Sequence, residues 1–311
     1  MQILHSIHFV IALGIFLIII KEFAKSCSHL ITENNRKILL KSQNILLMVL
    51  AGALLSAITQ SSSIVVLMII GLVEGSVISE KSGLAAVLGT EIGTTVTGQL
   101  LSIPQKIIFF LLPFILLVSM VLPKFKNIRK TIFWFSLLIL SLYHMSIPVK
   151  ALTSNSGTMI NQLLLLANDK VSVAIFIGFG FTALIQSSSA LTALAINLGR
   201  VGVLEITGAL GLILGANLGT CITGVLASFS FSKKAKTIVV GQILFNFLGI
   251  IIISIIFHHY VNLVIFLTPS KLIERQIANG QTLFNILSVI AILPIFPLFY
   301  RLVKQISLKI M

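Results

Sequence analysis

Two four-residue stretches, Gln60-Ser61-Ser62-Ser63 and Gln186-Ser187-Ser188-Ser189, set a carboxamide and three hydroxyls in a row inside apolar sequence. These groups donate hydrogen bonds to an oxyanion and can also accept them, and their oxygens, with freed backbone carbonyls, can ligate Na+. Ser is a strong N-cap, so each run is suited to start a helix. The free N–H groups and positive dipole end of that helix then face the polar stretch, as in an anion site. Two such tips brought together would surround a tetrahedral oxyanion with neutral donors. The candidate substrate-binding residues are therefore Gln60, Ser61, Ser62, Ser63, Gln186, Ser187, Ser188 and Ser189. A lone serine in an apolar helix more often caps it or ties helices together. A polar tetrapeptide occurring twice between half-length apolar runs points to a site.

The flanks of the first stretch cover 44–59 and 64–73, those of the second 171–185 and 190–198. Each is shorter than the roughly 17–25 residues of a spanning helix and falls in the range of re-entrant segments. The spacing predicts a helical hairpin that dips into the membrane and returns to its own side. Its broken backbone must be buried in protein or line a wet cavity.

Downstream of each tip lies a Gly/Thr-rich run, Gly89-Thr90-Glu91-Ile92-Gly93-Thr94-Thr95 and Gly215-Ala216-Asn217-Leu218-Gly219-Thr220-Cys221. The glycines suit either close helix packing or a helix break. Thr94 and Thr220 join the substrate-binding candidates; Ser62, Ser188, Thr95, Glu91 and Asn217 are the candidate Na+ ligands. Glu91 is a carboxylate deep in an apolar segment, a site hypothesis by default. It could ligate Na+, carry a proton, or stand as a protonated, hydrogen-bonded structural group. Asn197, Asn246 and Asn285 read first as interhelical glue, with Asn246 and Asn285 also able to reach the site. His144, His258 and His259 do not cluster, so no metal centre and no catalytic residue is expected.

The elements that must position these residues follow from composition. Of 311 residues 57% are hydrophobic and 10% charged, with mean hydropathy +1.11. Soluble domains carry about 25% charged residues, so the chain reads as an all-α polytopic membrane protein with a single membrane domain over 1–311. Its net charge of +14 comes from Lys and Arg between apolar stretches, the signature of loops facing anionic lipid and not of nucleic-acid binding. Cys27 and Cys221 lie far apart and form no CxxC. The first apolar run has no small-residue cleavage site after it and is taken as a retained helix.

At a constant offset of 126, Gly52 matches Gly178, and 60–63 match 186–189. Gly89, Gly93, Thr94, Thr97 and Gly98 match Gly215, Gly219, Thr220, Thr223 and Gly224. The protein is read as a duplicated unit, repeat one about 44–122 and repeat two about 171–257. Helices 7–20, 131–147 and 282–300 flank or link them; further segments are expected over 84–101, 107–122, 203–229 and 237–257, with 261–267 at the interface. If hairpins return to their own side, sixteen of the 22 basic residues fall on one face and six on the other. The positive-inside rule then puts the N-terminus out and the C-terminus in, which makes the repeats inverted. Inverted repeats with broken helices meeting at the midplane are the architecture of secondary transporters.

The doubled QSSS, each copy followed some 25 residues on by a G-x-x-x-G-T run, resembles the sodium/phosphate cotransporter family, with its type II cotransporters and bacterial relatives. The likeness covers about residues 5–300. It implies inverted repeats with re-entrant hairpins, import of inorganic phosphate with Na+ as coupling ion, no cofactor, and a place for both QSSS stretches in the phosphate and Na+ sites. The family's G-x-N-x-G-T run is kept at Asn217 but holds Glu91 in the first copy, which leaves Na+ or H+ coupling open. Many bacterial relatives carry a PhoU-like domain after the membrane part; this chain stops at Met311, so a separate PhoU-like protein is an expected partner. With no N-x-[ST] sequon, the expected location is the bacterial cytoplasmic (inner) membrane. The rivals are transport of another oxyanion, a phosphate-binding sensor, and an intramembrane serine hydrolase using His144. The last lacks a G-x-S-x-G elbow and has no use for two equivalent serine runs.

Overall fold

The computed structural model describes residues 2–29, 42–104, 113, 128–153, 159–229 and 233–310. Among them all regular structure is helical, in the order α1 (Gln2–Ser28), α2 (Ile45–Thr59), α3 (Ser62–Glu74), α4 (Glu80–Leu101), α5 (Arg129–Thr153), α6 (Met159–Asp169), α7 (Val171–Ile185), α8 (Ser188–Arg200), α9 (Ile206–Ser228), α10 (Lys233–Ile255), α11 (Phe257–Phe266), α12 (Ile273–Ile292) and α13 (Phe296–Ile310). The segment expected over 107–122 lies outside the described residues.

The offset seen in the sequence is also the offset of the structure. Helices α2 and α3 begin and end 126 residues before α7 and α8, and α4 and α9 start in the same register. Among the described residues the four with positive φ form two pairs at that spacing, Gln60 (55°) with Gln186 (57°) and Ser76 (54°) with Gly202 (77°). Within each copy the first half-helix lies directly on the long helix. A Cβ on Gly52 would sit 1.9 Å from the Ala86 carbonyl oxygen, and one on Gly178 would sit 2.0 Å from that of Leu212. From the other side, Gly89 meets the Val49 carbonyl and Gly215 that of Ile175, both at 1.9 Å. Only glycine permits backbones so close. Between the copies the contacts are reciprocal, α3 touching α9 and α8 touching α4, as in an isologous two-fold pairing.

Four helices among the described residues are long and apolar enough to cross a membrane, over Leu4–Cys27, Arg129–Val149, Ile206–Ser228 and Lys236–Ile255. The half-length helices α2, α3 and α7 are apolar but short. The outer surface is apolar too, with Phe176, Leu184, Ile255 and Phe266 each at least 75% exposed. That surface suits lipid as its solvent. Helices α1 and α5 pack along each other outside the duplicated part.

Several segment boundaries differ from the sequence reading. The single helix expected over 282–300 is two helices, α12 and α13, bent by 90°. Pro294 lacks the N–H a continuing helix would need, and Pro297 fits the first turn of α13. Helix α13 buries Phe296, Phe299, Val303 and Ser307 and exposes Arg301, Lys304 and Lys309. Helix α1 extends well beyond 7–20, so the start of the expected basic linker is helical. Helix α5 runs past Pro148 to Thr153, and the polar stretch 150–170 contains α6. The connection 258–280 holds α11 and the first turns of α12.

The glycine contacts generate a prediction. Gly89→Ala or Gly215→Ala must separate α4 from α2, or α9 from α7, and should cost about 1–3 kcal/mol. In a thermal unfolding series in detergent both variants should melt several degrees lower. Gly180→Ala, with nothing within 4 Å of the new methyl, should melt at or above the parent; equal melting of all three would refute the close-contact account.

Candidate functional site

Each polar stretch sits at the break of its helix pair, and the two breaks share one conformation. Gln60 closes α2 with φ 55° and ψ 28°, and Gln186 closes α7 with φ 57° and ψ 33°. Their backbone N–H groups still bond the preceding turn, to the carbonyls of Ser56 at 2.8 Å and Thr182 at 2.6 Å. The next residue swings to extended backbone and caps the following helix. Ser61 Oγ accepts from the Ile64 N–H at 3.4 Å, and Ser187 Oγ from the Ala190 N–H at 3.2 Å. Ser62 and Ser188 are thus the first residues of α3 and α8, so the N-terminal end of each returning helix faces its break.

Both breaks open on one cavity of about 740 Å³, lined by all eight residues of the two stretches. Thr223, Ile64, Ile185 and about two and a half turns of α1 from Leu17 to Lys25, including Lys21 and Glu22, complete the wall. Lys25 Nζ lies 3.9 Å from Glu22 Oε1. Hydroxyls, the Gln186 carboxamide and two helix N-termini therefore converge on one space, with the exposed Lys21 and Lys25 and the Glu22 carboxylate on its α1 side. That is the donor set for an anion, and it includes cationic help from a helix belonging to neither repeat.

The two tips are not in the same state. Gln60 is buried; its Oε1 accepts from Thr97 Oγ1 at 2.8 Å and its Nε2 donates to the Ala57 carbonyl. Gln186 is exposed. Thr223 is the equivalent of Thr97, and its buried hydroxyl has no hydrogen-bond partner. One Gln–Thr latch is closed and its counterpart is open.

The remaining candidates lie off the cavity wall. Thr94 Oγ1 bonds the Thr90 carbonyl at 2.7 Å and sits 3.3 Å from Ser56 Oγ. Thr95 bonds the Ile92 carbonyl at 2.8 Å, and Thr220 that of Ala216 at 2.9 Å. Glu91 and Asn217 are both 2% exposed and sit in the interior of α4 and α9. Glu91 Oε1 accepts from Gln242 Nε2 at 3.0 Å and Asn246 Nδ2 at 3.4 Å. Asn285 Nδ2 donates to the Glu91 backbone carbonyl at 2.9 Å. His144 shares a hydrogen bond with His8 at 3.0 Å, between α1 and α5, and does not line the cavity with the serines.

Sequence reasoning missed Lys21, Lys25, Thr97, Thr223 and Gln242 as contributors. Thr97 and Thr223 were within the matched set, and the pairing of Thr97 with Gln60 is a tertiary contact. The lysines looked like loop charge, because the apolar run ends at Ile20 while the helix continues.

The left-handed Gln residues give a second prediction. Glycine takes this conformation freely and alanine at a cost of about 1–2 kcal/mol. Gln60→Gly should therefore unfold later on heating than Gln60→Ala, although both lose the Thr97 latch, and the same order should hold at Gln186. Equal melting of the Gly and Ala variants would show that the break does not depend on that backbone state.

The family described as Na+/Pi-cotransporter matches residues 15–147 and again 142–267. YqeW of Bacillus subtilis (strain 168), whose function is itself uncharacterized, is 28% identical over 259 residues, 82% of this chain and 82% of that protein. YjbB of Salmonella typhimurium, provisionally named an inorganic phosphate export protein, is 25% identical over 216 residues, 68% of this chain but 39% of YjbB. Sodium-dependent phosphate transport protein 2B of Bos taurus is 39% identical over 84 residues, 26% of this chain and 12% of that protein. No solved structure matches the chain. With both copies of the broken-helix unit inside the matched residues, this chain is a member of the Na+/Pi-cotransporter family, a family of transporters and not of enzymes.

Proposed function

We propose that this protein is a secondary active transporter that imports inorganic phosphate with Na+ across the bacterial cytoplasmic membrane. The observation that carries the reading is the single cavity onto which both QSSS stretches open, with Lys21 and Lys25 on its wall. Phosphate carries its negative charge on oxygens that accept hydrogen bonds, and this cavity offers hydroxyl, carboxamide, backbone N–H and ammonium donors. Ser62 and Ser188, buried at the first turn of α3 and α8, are the residues best placed to touch both the anion and an accompanying Na+. Thr94 and Thr220 act one layer behind, bracing the long helices against the half-helices.

Half-length helices broken at the tips, together with the reciprocal α3–α9 and α8–α4 contacts, support two hairpins entering from opposite leaflets. The unequal latches support alternating access. In this conformation Gln60 is held by Thr97 and Gln186 is released; in the opposite conformation Gln186 would take Thr223 and Gln60 would be freed. Exchange of such inequivalent states between repeats moves a central site from one side to the other. A Na+ gradient directed inward makes phosphate follow inward. The name of YjbB speaks of export, so the assay must read both directions.

Purified protein in liposomes should accumulate radiolabelled phosphate under an inward Na+ gradient and not under K+. Gln60→Ala and Ser188→Ala should each lower uptake about tenfold or more, the worth of one hydrogen bond to a charged group. Lys21→Ala with Lys25→Ala should raise KM for phosphate and reduce its dependence on ionic strength. No accumulation under any cation gradient, or net efflux driven by inward Na+, would refute coupled import. For topology, Val77→Cys and Glu205→Cys should label from opposite sides of the membrane, and labelling from one side would remove the inverted arrangement.

A further inference from the structure

Outside the cavity the molecule holds a second polar cluster that the anion does not need. The motif Gly-Gln-x-Leu-Phe-Asn occurs twice, at 241–246 in α10 and 280–285 in α12. The two copies meet the two repeats equivalently. A Cβ on Gly241 would lie 2.3 Å from Leu84 of α4, and one on Gly280 would lie 2.2 Å from Leu210 of α9. Leu84 and Leu210 are themselves equivalent at the offset of 126. By that equivalence Gln281 and Asn217 hold the positions matching Gln242 and Glu91, and only the first two include a charge.

Around Glu91 the polar groups do not balance. Gln242 is 1% exposed, and Asn246 and Asn285 are fully buried. Their amide nitrogens are used, on the Glu91 carboxylate and on its backbone carbonyl. Their amide oxygens, Gln242 Oε1, Asn246 Oδ1 and Asn285 Oδ1, have no hydrogen-bond partner. In one carboxamide the oxygen is only about 2.3 Å from the nitrogen. Two of the three oxygens are thus within about 6 Å of the carboxylate. Among the described residues Glu91 makes no ion pair.

Interhelical glue would pair donors with acceptors, whereas this cluster has a surplus of acceptors around a negative charge. A proton on Glu91 would neutralise the charge but supply a single O–H donor, enough for one of the three carbonyl oxygens and leaving two unpaired. A transition metal would want nitrogen or sulfur ligands, and a divalent ion more than one carboxylate. A small hard monovalent cation both balances the carboxylate and takes amide oxygens as ligands, since a half-turn of the Gln242 and Asn246 amides presents their oxygens where their nitrogens now face Glu91. We propose that Glu91, with the side-chain oxygens of Gln242, Asn246 and Asn285, forms a buried Na+ site between α4, α10 and α12, apart from the anion cavity. Its repeat mate at Asn217 lacks the charge, so the chain has one such site and not two. As a binding site it stands independently; as the coupling site it rests on the transport reading.

The test uses the full chain in detergent without phosphate, titrated with NaCl against choline chloride at fixed ionic strength, with KCl and pH series in parallel. The melting temperature should rise saturably with Na+ and not with K+. Glu91→Gln should raise the Na+ concentration for half the shift at least tenfold, and Gly180→Ala, which meets nothing within 4 Å, should leave that concentration unchanged. Should Glu91→Gln fold poorly, Asn246→Leu and Gln242→Leu carry the same expectation. A Na+ shift intact in Glu91→Gln and in both Leu variants overturns the site, as does a shift that follows pH and ignores Na+. An intact, Glu91-dependent Na+ shift without phosphate uptake would sink the transport reading alone. Na+-driven uptake unaffected by Glu91→Gln would sink this site alone.

Discussion

Everything polar in this molecule depends on a contact that involves no polar side chain, the seating of backbone against glycine between the half-helices and the long helices. In lipid, helices gain little from burying apolar surface against one another, since the tails are equally apolar. Close approach of backbones supplies the attraction instead. Gly52 under the Ala86 carbonyl and Gly89 under that of Val49 lock α2 to α4 from both sides, and Gly178 with Gly215 do the same for α7 and α9. A half-length helix that cannot cross the bilayer is thereby fixed along one that can brace it. Only with that brace can the chain stop, turn through a left-handed glutamine and start again.

The duplication makes the departures from it informative. Two copies of one backbone have been given different side chains at the position of Glu91 and Asn217, and different hydrogen bonds at Gln60 and Gln186. The first difference is written in the sequence and persists in every conformation. The second is a matter of state, since both glutamines and both threonines are present and only one pair is joined. These are two places, among the described residues, where equivalent positions of the copies differ in charge or in hydrogen bonding.

Much of this was legible because it is local or periodic. The QSSS stretches named the breaks, and the offset of 126 located their partners to the residue. Serine's capping preference foretold where α3 and α8 begin. The left-handed state of Gln60 was not legible, because glutamine has no preference for it; Gln186 takes the same state with its side chain exposed, so the break imposes it and not the side chain. Nor was the contribution of α1, whose Lys21 and Lys25 reach the cavity through tertiary packing with no echo in the repeat. The bend at Pro294 was open to inspection, but the apolar residues on both sides of it masked the break. The Phe-Asn pairs at 245–246 and 284–285 were seen and read as glue. Their unsatisfied oxygens belong to the geometry of three helices and have no sequence signal beyond the repeated motif.

The two polar centres are joined by one element. Helix α4 carries Glu91 toward α10 and α12, and less than two turns further on it carries Thr97, which holds Gln60 at the cavity. A cation between Glu91 and the amides would draw α10 and α12 toward α4. That changes the free energy of whichever arrangement of α4 closes the Gln60 latch. Whatever that change does to the anion, the anion must do in equal measure to the cation, because a coupling free energy between two sites has one value. Cotransport then needs no direct contact between the two ions. It needs a helix rigid enough to answer to both, and a largely buried α4 wedged between its glycine contacts has few other ways to move.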